Sequence, residues 1–161
     1  MANGFTVRRS VAADLSALDA LFARTYPKLL KPDYPPSVLV LALPLISRAQ
    51  PGLVRSGTFY VAESARGTIL GAGGWTRRGR VVADVRHVVT DVRHTRQGVG
   101  RAIFARIFAD AGAAGITLLD CKSTRTAVPF YQAMGFEMLG PIAMELRPGI
   151  VFPAVRMQRR L

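Results

Sequence analysis

Apolar residues along the chain recur at two spacings, one typical of helices and one typical of strands. Leu15, Leu18, Leu21 and Phe22 fall at helical spacing, whereas runs such as TFYVAES and ITLLDCKS are short and mostly apolar. Three prolines within residues 31–36 break the first helix. The pattern predicts a strand over 5–10, helices over 12–26 and 37–50, strands over 58–64, 68–78 and 82–92, a helix from Val99 to about Ala111, a strand over 116–123, a short helix within 125–136 stopped by Gly135, and strands over 137–146 and 151–160.

The second predicted helix, residues 37–50, is apolar nearly all round. Ser37 is placed to cap its start, and Pro44 is expected to end or kink it. The strands over 58–64 and 68–78 are separated by residues 65–67, which predicts a hairpin. Because helices and strands mix along the chain without a linker or repeat, we expect a single α/β (α+β) domain over residues 1–161. A chain of this length buries roughly two-thirds of its unfolded surface.

The formal net charge of +12 comes from 22 Lys plus Arg against 10 Asp plus Glu. Only Lys28, Lys31 and Lys122 are lysine, so the excess is mainly arginine. Such a surplus indicates either an anionic partner or a compositional bias on solvated faces. The cations are scattered without a long basic run, which weakens the nucleic-acid alternative.

Cysteine content and hydropathy limit the remaining classes. The single Cys121 excludes an intramolecular disulfide, and no apolar stretch approaches the roughly 20 residues of a membrane span. The first residues also lack the charged and apolar regions of a signal peptide. We therefore expect a soluble, cytoplasmic protein with no membrane partner.

The glycines of TRQGVG, residues 95–100, precede a predicted helix. A glycine-rich turn at a helix start offers backbone N–H groups to a phosphate, although glycines also occur there for packing. The sequence is not a nucleoside-triphosphate loop, because neither Gly98 nor Gly100 is followed by Lys and Ser or Thr. A dinucleotide fingerprint would need a small residue where Ile103 stands, and an earlier position in the chain.

The stretch from Asp84 to Phe136 resembles the GCN5-related N-acetyltransferase (GNAT) superfamily. Its members carry a fourth strand leading into Q/R-x-x-G-x-G/A, and a downstream helix containing A-x-x-F-Y-x-x-x-G-F. The second pattern is complete here, as Ala127, Phe130, Tyr131, Gly135 and Phe136. The first pattern departs at Thr95, where Gln or Arg is usual, and the Asn that often opens the downstream helix is replaced by Thr124 or Thr126.

This resemblance implies a mixed central sheet of about six to seven strands, about four flanking helices, and acetyl-CoA in the cleft beside the fourth strand. The pyrophosphate of the cofactor would lie on the turn and the pantetheine arm along the strand, and Thr126 would contribute from the downstream helix. The implied cofactor-binding residues are Val88, Val89, Thr90, Thr95, Arg96, Gln97, Gly98, Val99, Gly100, Arg101 and Thr126.

The implied reaction is direct attack of a primary amine on the thioester, which needs a base because an alkyl amine is protonated at neutral pH. Asp84 is the first candidate base and His87 the second. Lying three apart on a strand, they are expected to face opposite sides, with Arg86 beside Asp84. Tyr131 matches the superfamily's general acid, and Cys121 is expected to be an inert buried thiol.

The acceptor is expected to be a small-molecule or peptide amine, read by residues 26–37, where Asp33 and Tyr34 are candidate contacts, and by the last two strands. Two alternatives stay open: a basic nucleic-acid-binding module, which is not favoured, and a non-catalytic acyl-CoA-binding protein of the same fold. A homodimer is also possible.

Overall fold

The computed structural model describes residues 4–95 and 97–161, so Arg96 of the predicted phosphate turn lies outside the described residues. Within these residues the chain forms seven strands and five helices in mixed order, with two 3₁₀ turns at Ala12–Asp14 and Val92–His94. The elements are β1 (Phe5–Arg9), α1 (Leu15–Leu30), α2 (Pro36–Ile46), α3 (Pro51–Val54), β2 (Phe59–Ser64), β3 (Ile69–Arg77), β4 (Val82–Thr90), α4 (Val99–Ala113), β5 (Leu118–Ser123), α5 (Val128–Ala133), β6 (Glu137–Arg147) and β7 (Ile150–Arg160).

All seven strands form one sheet in the order β1-β2-β3-β4-β5-β7-β6. Strands β4 and β5 are parallel neighbours, and every other pair is antiparallel. Helices cover both faces: one core, with Leu21 and Phe22, lies under α1 and α2, and the other, with Phe104 and Ile107, lies under α4. The predicted mixed α/β architecture is confirmed.

The helix ends in the first third of the chain differ from the sequence prediction. Helix α1 extends beyond Pro27 to Leu30, and α2 begins at Pro36 instead of behind a Ser37 cap. Proline is well suited to the first helical position, because its missing N–H has no partner there in any case and its φ is already helical. Helix α2 also continues past Pro44 to Ile46.

Strand β4 contains a β-bulge at residues 87–88, both of which lie opposite the single residue Gly73 of β3. His87 adopts a φ of +48°, which is uncommon for a residue other than glycine. A Cβ at Gly73 would lie 2.9 Å from Val88 Cγ2, so the two strands approach closely at the bulge only because this position is glycine.

The bulge inverts the alternation of side chains along β4. Ala83 and Val85 pack in the core under α4, whereas Val89 packs in the core under α1. The extra residue therefore brings His87 onto the same face as Asp84. The expectation that these two side chains face opposite sides of the sheet is wrong, because it assumed an unbroken period of two.

Strands β4 and β5 separate soon after they pair. Their register runs from Val82 opposite Leu118 to Asp84 opposite Asp120, and the described chain shows no further pair between them. Strand β4 nevertheless continues to Thr90 and stays paired with β3 on its other edge. A wedge therefore opens in the middle of the sheet, bordered by the free edge of β4.

The far end of β4 is held by Asp91, whose side chain is fully buried. Its carboxylate accepts hydrogen bonds from Arg24 Nη2 of α1 at 2.7 Å and from Arg93 Nη2 at 2.9 Å, and also from the Arg93 N–H at 3.0 Å. These contacts hold the pKa of Asp91 well below its usual range, with the Arg93 side chain as the main cause. Asp91 thereby ties β4 to α1.

We expect Asp91→Asn to lower the free energy of unfolding by about 1.5 to 3 kcal/mol, because the neutral amide loses the charge-assisted hydrogen bonds that the buried carboxylate accepts from Arg24 and Arg93. Chemical denaturation followed by circular dichroism measures this change. The exposed Glu137→Gln is the control and should change stability by less than about 0.5 kcal/mol. Equal effects of the two variants would contradict a stabilising role for the Asp91 cluster.

Candidate active site

A cavity of about 960 Å³ lies where β4 and β5 diverge. Its walls come from α1, α2, β4, the start of α4, β5, the β5–α5 loop, α5 and strands β6 and β7. Eleven of the thirteen residues predicted for the site line it: Asp84, Val88, Val89, Thr90, Thr95, Gly98, Val99, Gly100, Arg101, Thr126 and Tyr131. Gln97 is exposed and not among the lining residues, and Arg96 is outside the described residues.

One end of the cavity is formed by the start of α4. Gly98 has a φ of +80°, which a glycine adopts without strain, and its carbonyl accepts the N–H of Ala102 at 3.0 Å. The N–H groups of residues 99–101 belong to the first turn, where a helix has no acceptors of its own. Together with the positive end of the helix dipole they make a binding place for an anion.

Gly100 serves packing as well as access. A Cβ on Gly100 would lie 2.8 Å from Cζ of Phe130, a residue of α5 that also lines the cavity. Helices α4 and α5 therefore approach each other at this glycine. The packing interpretation of the glycine-rich turn therefore applies at this position, while an open backbone for a ligand stays a prediction.

The middle of the cavity follows the free edge of β4. From Val85 to Thr90 the backbone groups on the edge facing β5 have no β5 partner in the described chain. Backbone N–H and C=O groups need hydrogen-bond partners when they are shielded from water. An extended ligand with amide groups could supply them in the manner of an added strand.

Residues 31–36 pack against the β5–α5 loop rather than lining the cavity. Tyr34 Oη donates to the Pro153 carbonyl at 2.7 Å and accepts the Arg125 N–H at 2.8 Å, while Thr126 Oγ1 donates to Asp33 Oδ2 at 2.7 Å. Asp33 and Tyr34, the predicted acceptor contacts, are absent from the described lining of the cavity. They hold the loop that carries Thr126.

Tyr131 of α5 is almost completely buried beside the cavity. Its ring packs edge-on against Phe104 and Phe136, with centroid separations of 5.6 and 5.2 Å. Burial raises the pKa of Tyr131 well above its usual value, and the adjacent Cys121 thiol adds to the shift. Burial likewise raises the pKa of Cys121 to about 12, so this thiol stays protonated at neutral pH.

His87 lies on the face of the sheet that packs against α1, whereas Tyr131 packs in the core on the other face. Its ring stacks on Phe22 with a centroid separation of 5.4 Å, and its Nδ1 lies 3.2 Å from Tyr26 Oη. Burial, assisted by the positive charge of Arg86, lowers the pKa of His87 to about 4. The imidazole is therefore neutral at pH 7. Tyr26, which also lines the cavity, is the first residue of the segment 26–37 predicted to read the acceptor, but it was not singled out as a site residue; its position one turn after Phe22 on α1 was the available signal.

Asp84 lines the cavity, but its carboxylate already has a cationic partner. Arg78 Nε lies 2.9 Å from Oδ1 and 3.1 Å from Oδ2 of Asp84, and Arg78 Nη2 lies 2.6 Å from Oδ2 of the neighbouring Asp120. Arg156 binds Asp120 from the other side at 3.2 Å. Both partners of Asp120 are far from it in the chain, and no short motif indicates them or the pair of Arg78 with the nearby Asp84.

The described part of the chain contains no helix long and apolar enough to cross a membrane. One curated relative, an uncharacterized protein of Mycobacterium leprae, is 30% identical over 91 residues, which are 55% of this chain and 25% of the relative. The chain therefore spans about a quarter of the length of that relative.

Solved structures with the same fold cover nearly the whole chain. A GCN5-related N-acetyltransferase of Rhodopseudomonas palustris superposes with a TM-score of 0.80 at 17% identity, covering 98% of this chain and 96% of that chain. PaiA N-acetyltransferase of Thermoplasma acidophilum, solved with coenzyme A, gives 0.71 at 12% identity, covering 98% and 99%. YncA of Salmonella typhimurium, solved with its cofactor acetyl-CoA, gives 0.69 at 16%, covering 98% and 94%.

The family model for the acetyltransferase (GNAT) domain matches residues 55–138, just over half of the chain. The matched segment runs from the end of α3 to the start of β6 and so includes the β4 bulge, the glycine turn and α5. The match agrees with the strand order, the wedge between β4 and β5, and the likeness to the solved structures. This chain belongs to the GNAT superfamily.

Proposed function

We propose that the protein is an N-acetyltransferase that transfers an acetyl group from acetyl-CoA to a primary amine by direct attack on the thioester. The observation that carries the proposal is the wedge between β4 and β5, which has a helix start at one end and the Tyr131 hydroxyl beside its middle. Superfamily membership supports the reaction class, and the bound coenzyme A and acetyl-CoA of PaiA and YncA support the cofactor.

The described residues fit such a cofactor. The phosphates would lie on the first turn of α4, where Gly98 leaves the backbone accessible and the exposed Arg101 adds positive charge. The amide-bearing arm would lie along the free edge of Val88, Val89 and Thr90. The roles of Thr95, Arg96, Gln97 and Thr126 remain predictions.

Bound acetyl-CoA would supply an activated acetyl group and, after attack by the amine, a departing thiolate. The Tyr131 hydroxyl, with its pKa raised by burial, stays protonated throughout the working pH range. A thiol has a pKa of roughly 8.5, so complete proton transfer from Tyr131 to the thiolate is unfavourable. Tyr131 would act by donating a hydrogen bond that stabilises the negative sulfur.

Two groups on the α1 side can take the proton of the amine. A proton moved to Asp84, the first candidate, would have to displace the guanidinium of Arg78 from its carboxylate. His87 is neutral at pH 7 and needs no such displacement. Because its pKa of about 4 makes His87 a weak base, we assign it the passing of the proton on to water and not its retention, and we retain Asp84 as the alternative.

Screening a panel of primary amines with acetyl-CoA and detecting the released thiol tests the reaction. A protein that binds acetyl-CoA but acetylates no amine would be the non-catalytic alternative. Stabilisation by DNA and not by acetyl-CoA at matched salt would support the nucleic-acid alternative. The described residues give that alternative no support, since none of their aromatic side chains is exposed for stacking on bases.

Arg101→Glu should raise the dissociation constant of acetyl-CoA by roughly tenfold or more, since a charge-assisted hydrogen bond contributes about 1.5 to 3 kcal/mol. Isothermal titration calorimetry measures the change, which should shrink at high salt. Arg66→Glu alters the net charge equally on the exposed β2–β3 turn and should leave the affinity unchanged. Equal losses in both variants would remove Arg101 from the binding site.

Tyr131→Phe should reduce turnover by roughly 10 to 10⁴-fold while leaving the affinity for acetyl-CoA nearly unchanged, because it removes one hydroxyl and little volume. Steady-state kinetics and thermal unfolding together make the test. Tyr60→Phe is the matched control, since the buried Tyr60 donates its hydroxyl to Asp110 and lies outside the described cavity lining. That control should lose stability and keep its turnover; unaltered turnover in Tyr131→Phe would disprove the assignment.

The low pKa of His87 should make the protein less stable as the pH falls from about 6.5 to about 4. In that window the unfolded chain binds a proton that the folded His87 does not, so the free energy of unfolding decreases by at most about 3 kcal/mol. His87→Asn, which tolerates a positive φ, should lose less stability over the window than the wild type.

Thermal unfolding at a series of pH values measures this difference. Parallel curves for wild type and His87→Asn would mean that His87 does not carry the shifted titration.

A further inference from the structure

The cationic side chains around the α1 side of the cavity, here called the acceptor side because the amine acceptor would bind there, fall into two groups. Arg78 and Arg156 form ion pairs with Asp84 and Asp120, so those charges are neutralised by each other. Arg86 is different: within residues 4–95 and 97–161, its hydrogen bonds go to neutral oxygen atoms. Arg86 Nη1 donates to Thr76 Oγ1 at 3.3 Å, and Arg86 Nη2 donates to Gln50 Oε1 at 3.2 Å.

The position of Arg86 places its charge next to the reaction site. Arg86 lines the cavity and immediately precedes the β4 bulge, so its side chain shares the α1 face with the side chain of His87. Its contact with Gln50 at the start of α3 lies on this face as well. The positive charge of Arg86 is one of the two causes that lower the pKa of His87, which agrees with a guanidinium directed towards the same space.

The rest of the acceptor side is apolar or cationic. Leu29 of α1, Ile46 of α2 and Met144 of β6 line it, together with the exposed Lys122 of β5. Asp84 and Asp120 are the only acids in the described lining, and both are bound by arginine. A simple cationic amine would find no free carboxylate here, whereas an anionic group would find a guanidinium without an acidic partner.

We propose that the acceptor is an apolar amino acid whose carboxylate pairs with Arg86. The assignment rests on the proposed acetyltransferase function and specifies its substrate class. Because of the bulge, the Arg86 guanidinium and the neutral His87 imidazole stand at consecutive positions on one face. This arrangement suits an acceptor whose carboxylate and amine are separated by few bonds. The planar guanidinium can bind a carboxylate through two parallel hydrogen bonds, and the apolar wall receives the side chain.

The test compares L-leucine with L-leucinamide, which replaces the carboxylate by a neutral amide of nearly equal size. With acetyl-CoA at saturation, kcat/KM of the wild type should favour leucine by at least about tenfold, although leucinamide has the less basic amine. Arg86→Gln should lower kcat/KM for leucine by roughly 10 to 100-fold and change that for leucinamide by less than about threefold. Arg86→Lys should restore part of the loss, and Arg66→Gln should behave as the wild type.

Equal losses with both acceptors would show that Arg86 acts on the fold, and a wild-type preference for leucinamide would overturn the assignment. Product binding gives a readout that needs no turnover: with coenzyme A present, N-acetyl-L-leucine should bind the wild type at least about tenfold more tightly than N-acetyl-L-leucinamide, and Arg86→Gln should abolish the difference. Absence of that difference in the wild type also overturns the proposal.

The two proposals fail separately. If the protein acetylates amines that lack a carboxylate as well as it acetylates amino acids, the acetyltransferase function stands and the proposal of an amino-acid acceptor is disproved. A protein that neither binds acetyl-CoA nor acetylates any amine in the panel removes the proposed function itself. A dipeptide acceptor, leucyl-glycine against leucyl-glycinamide, tests whether the carboxylate must belong to the same residue as the amine; preference for leucyl-glycine over free leucine would replace the amino acid by a peptide with a free C-terminal carboxylate.

Discussion

The loss of pairing between β4 and β5 beyond Asp84 is the constraint on which the site depends. A strand in the middle of a sheet normally has both edges bonded, whereas here the edge of β4 from Val85 to Thr90 faces a cavity. Its N–H and C=O groups need partners, from water or from a ligand with matching amides. The sheet stays intact despite this gap because β3 holds the other edge of β4 and β7 holds β5.

The β-bulge adds a second consequence to the same strand. Without the extra residue, Asp84 and Arg86 would share a face and His87 would point into the core under α4. With it, His87 stacks on Phe22 under α1, next to Arg86. The close approach at Gly73 and the positive φ of His87 are the local costs of this geometry. Their result is that a neutral imidazole and a guanidinium face one space.

The order of elements could be read from the sequence because it depends on local periodicity and on glycine and proline. The glycine turn and Tyr131 could be found as well, since both belong to short motifs, and the structure places them beside the same cavity. The bulge could not be predicted from the sequence. Apolar residues stand on both faces of β4, so one inserted residue does not visibly interrupt the pattern of apolar positions. The pairing of Asp84 with Arg78 was equally hidden, since it depends on how β3 meets β4. Pro36 was predicted to belong to the break before α2, because proline interrupts a helix interior. The structure has it as the first residue of α2, a position that accepts proline.

The arginine excess also acquires a physical meaning from the fold. Several acids bind two arginines each: Asp91 binds Arg24 and Arg93, and Asp120 binds Arg78 and Arg156. A carboxylate that binds two arginines cancels only one of their two positive charges. Among the described residues that line the cavity, no carboxylate is without an arginine partner. The remaining positive charge favours anionic ligands, which agrees with the proposals of phosphates at the α4 start and of a carboxylate-bearing acceptor beside Arg86. A protein with the same fold and a cationic acceptor would need the opposite arrangement, an unpaired acid on the α1 side of β4. For the proposed acetyltransferase, the charge balance within the wedge, and not the net charge of the chain, would therefore set which amine can enter.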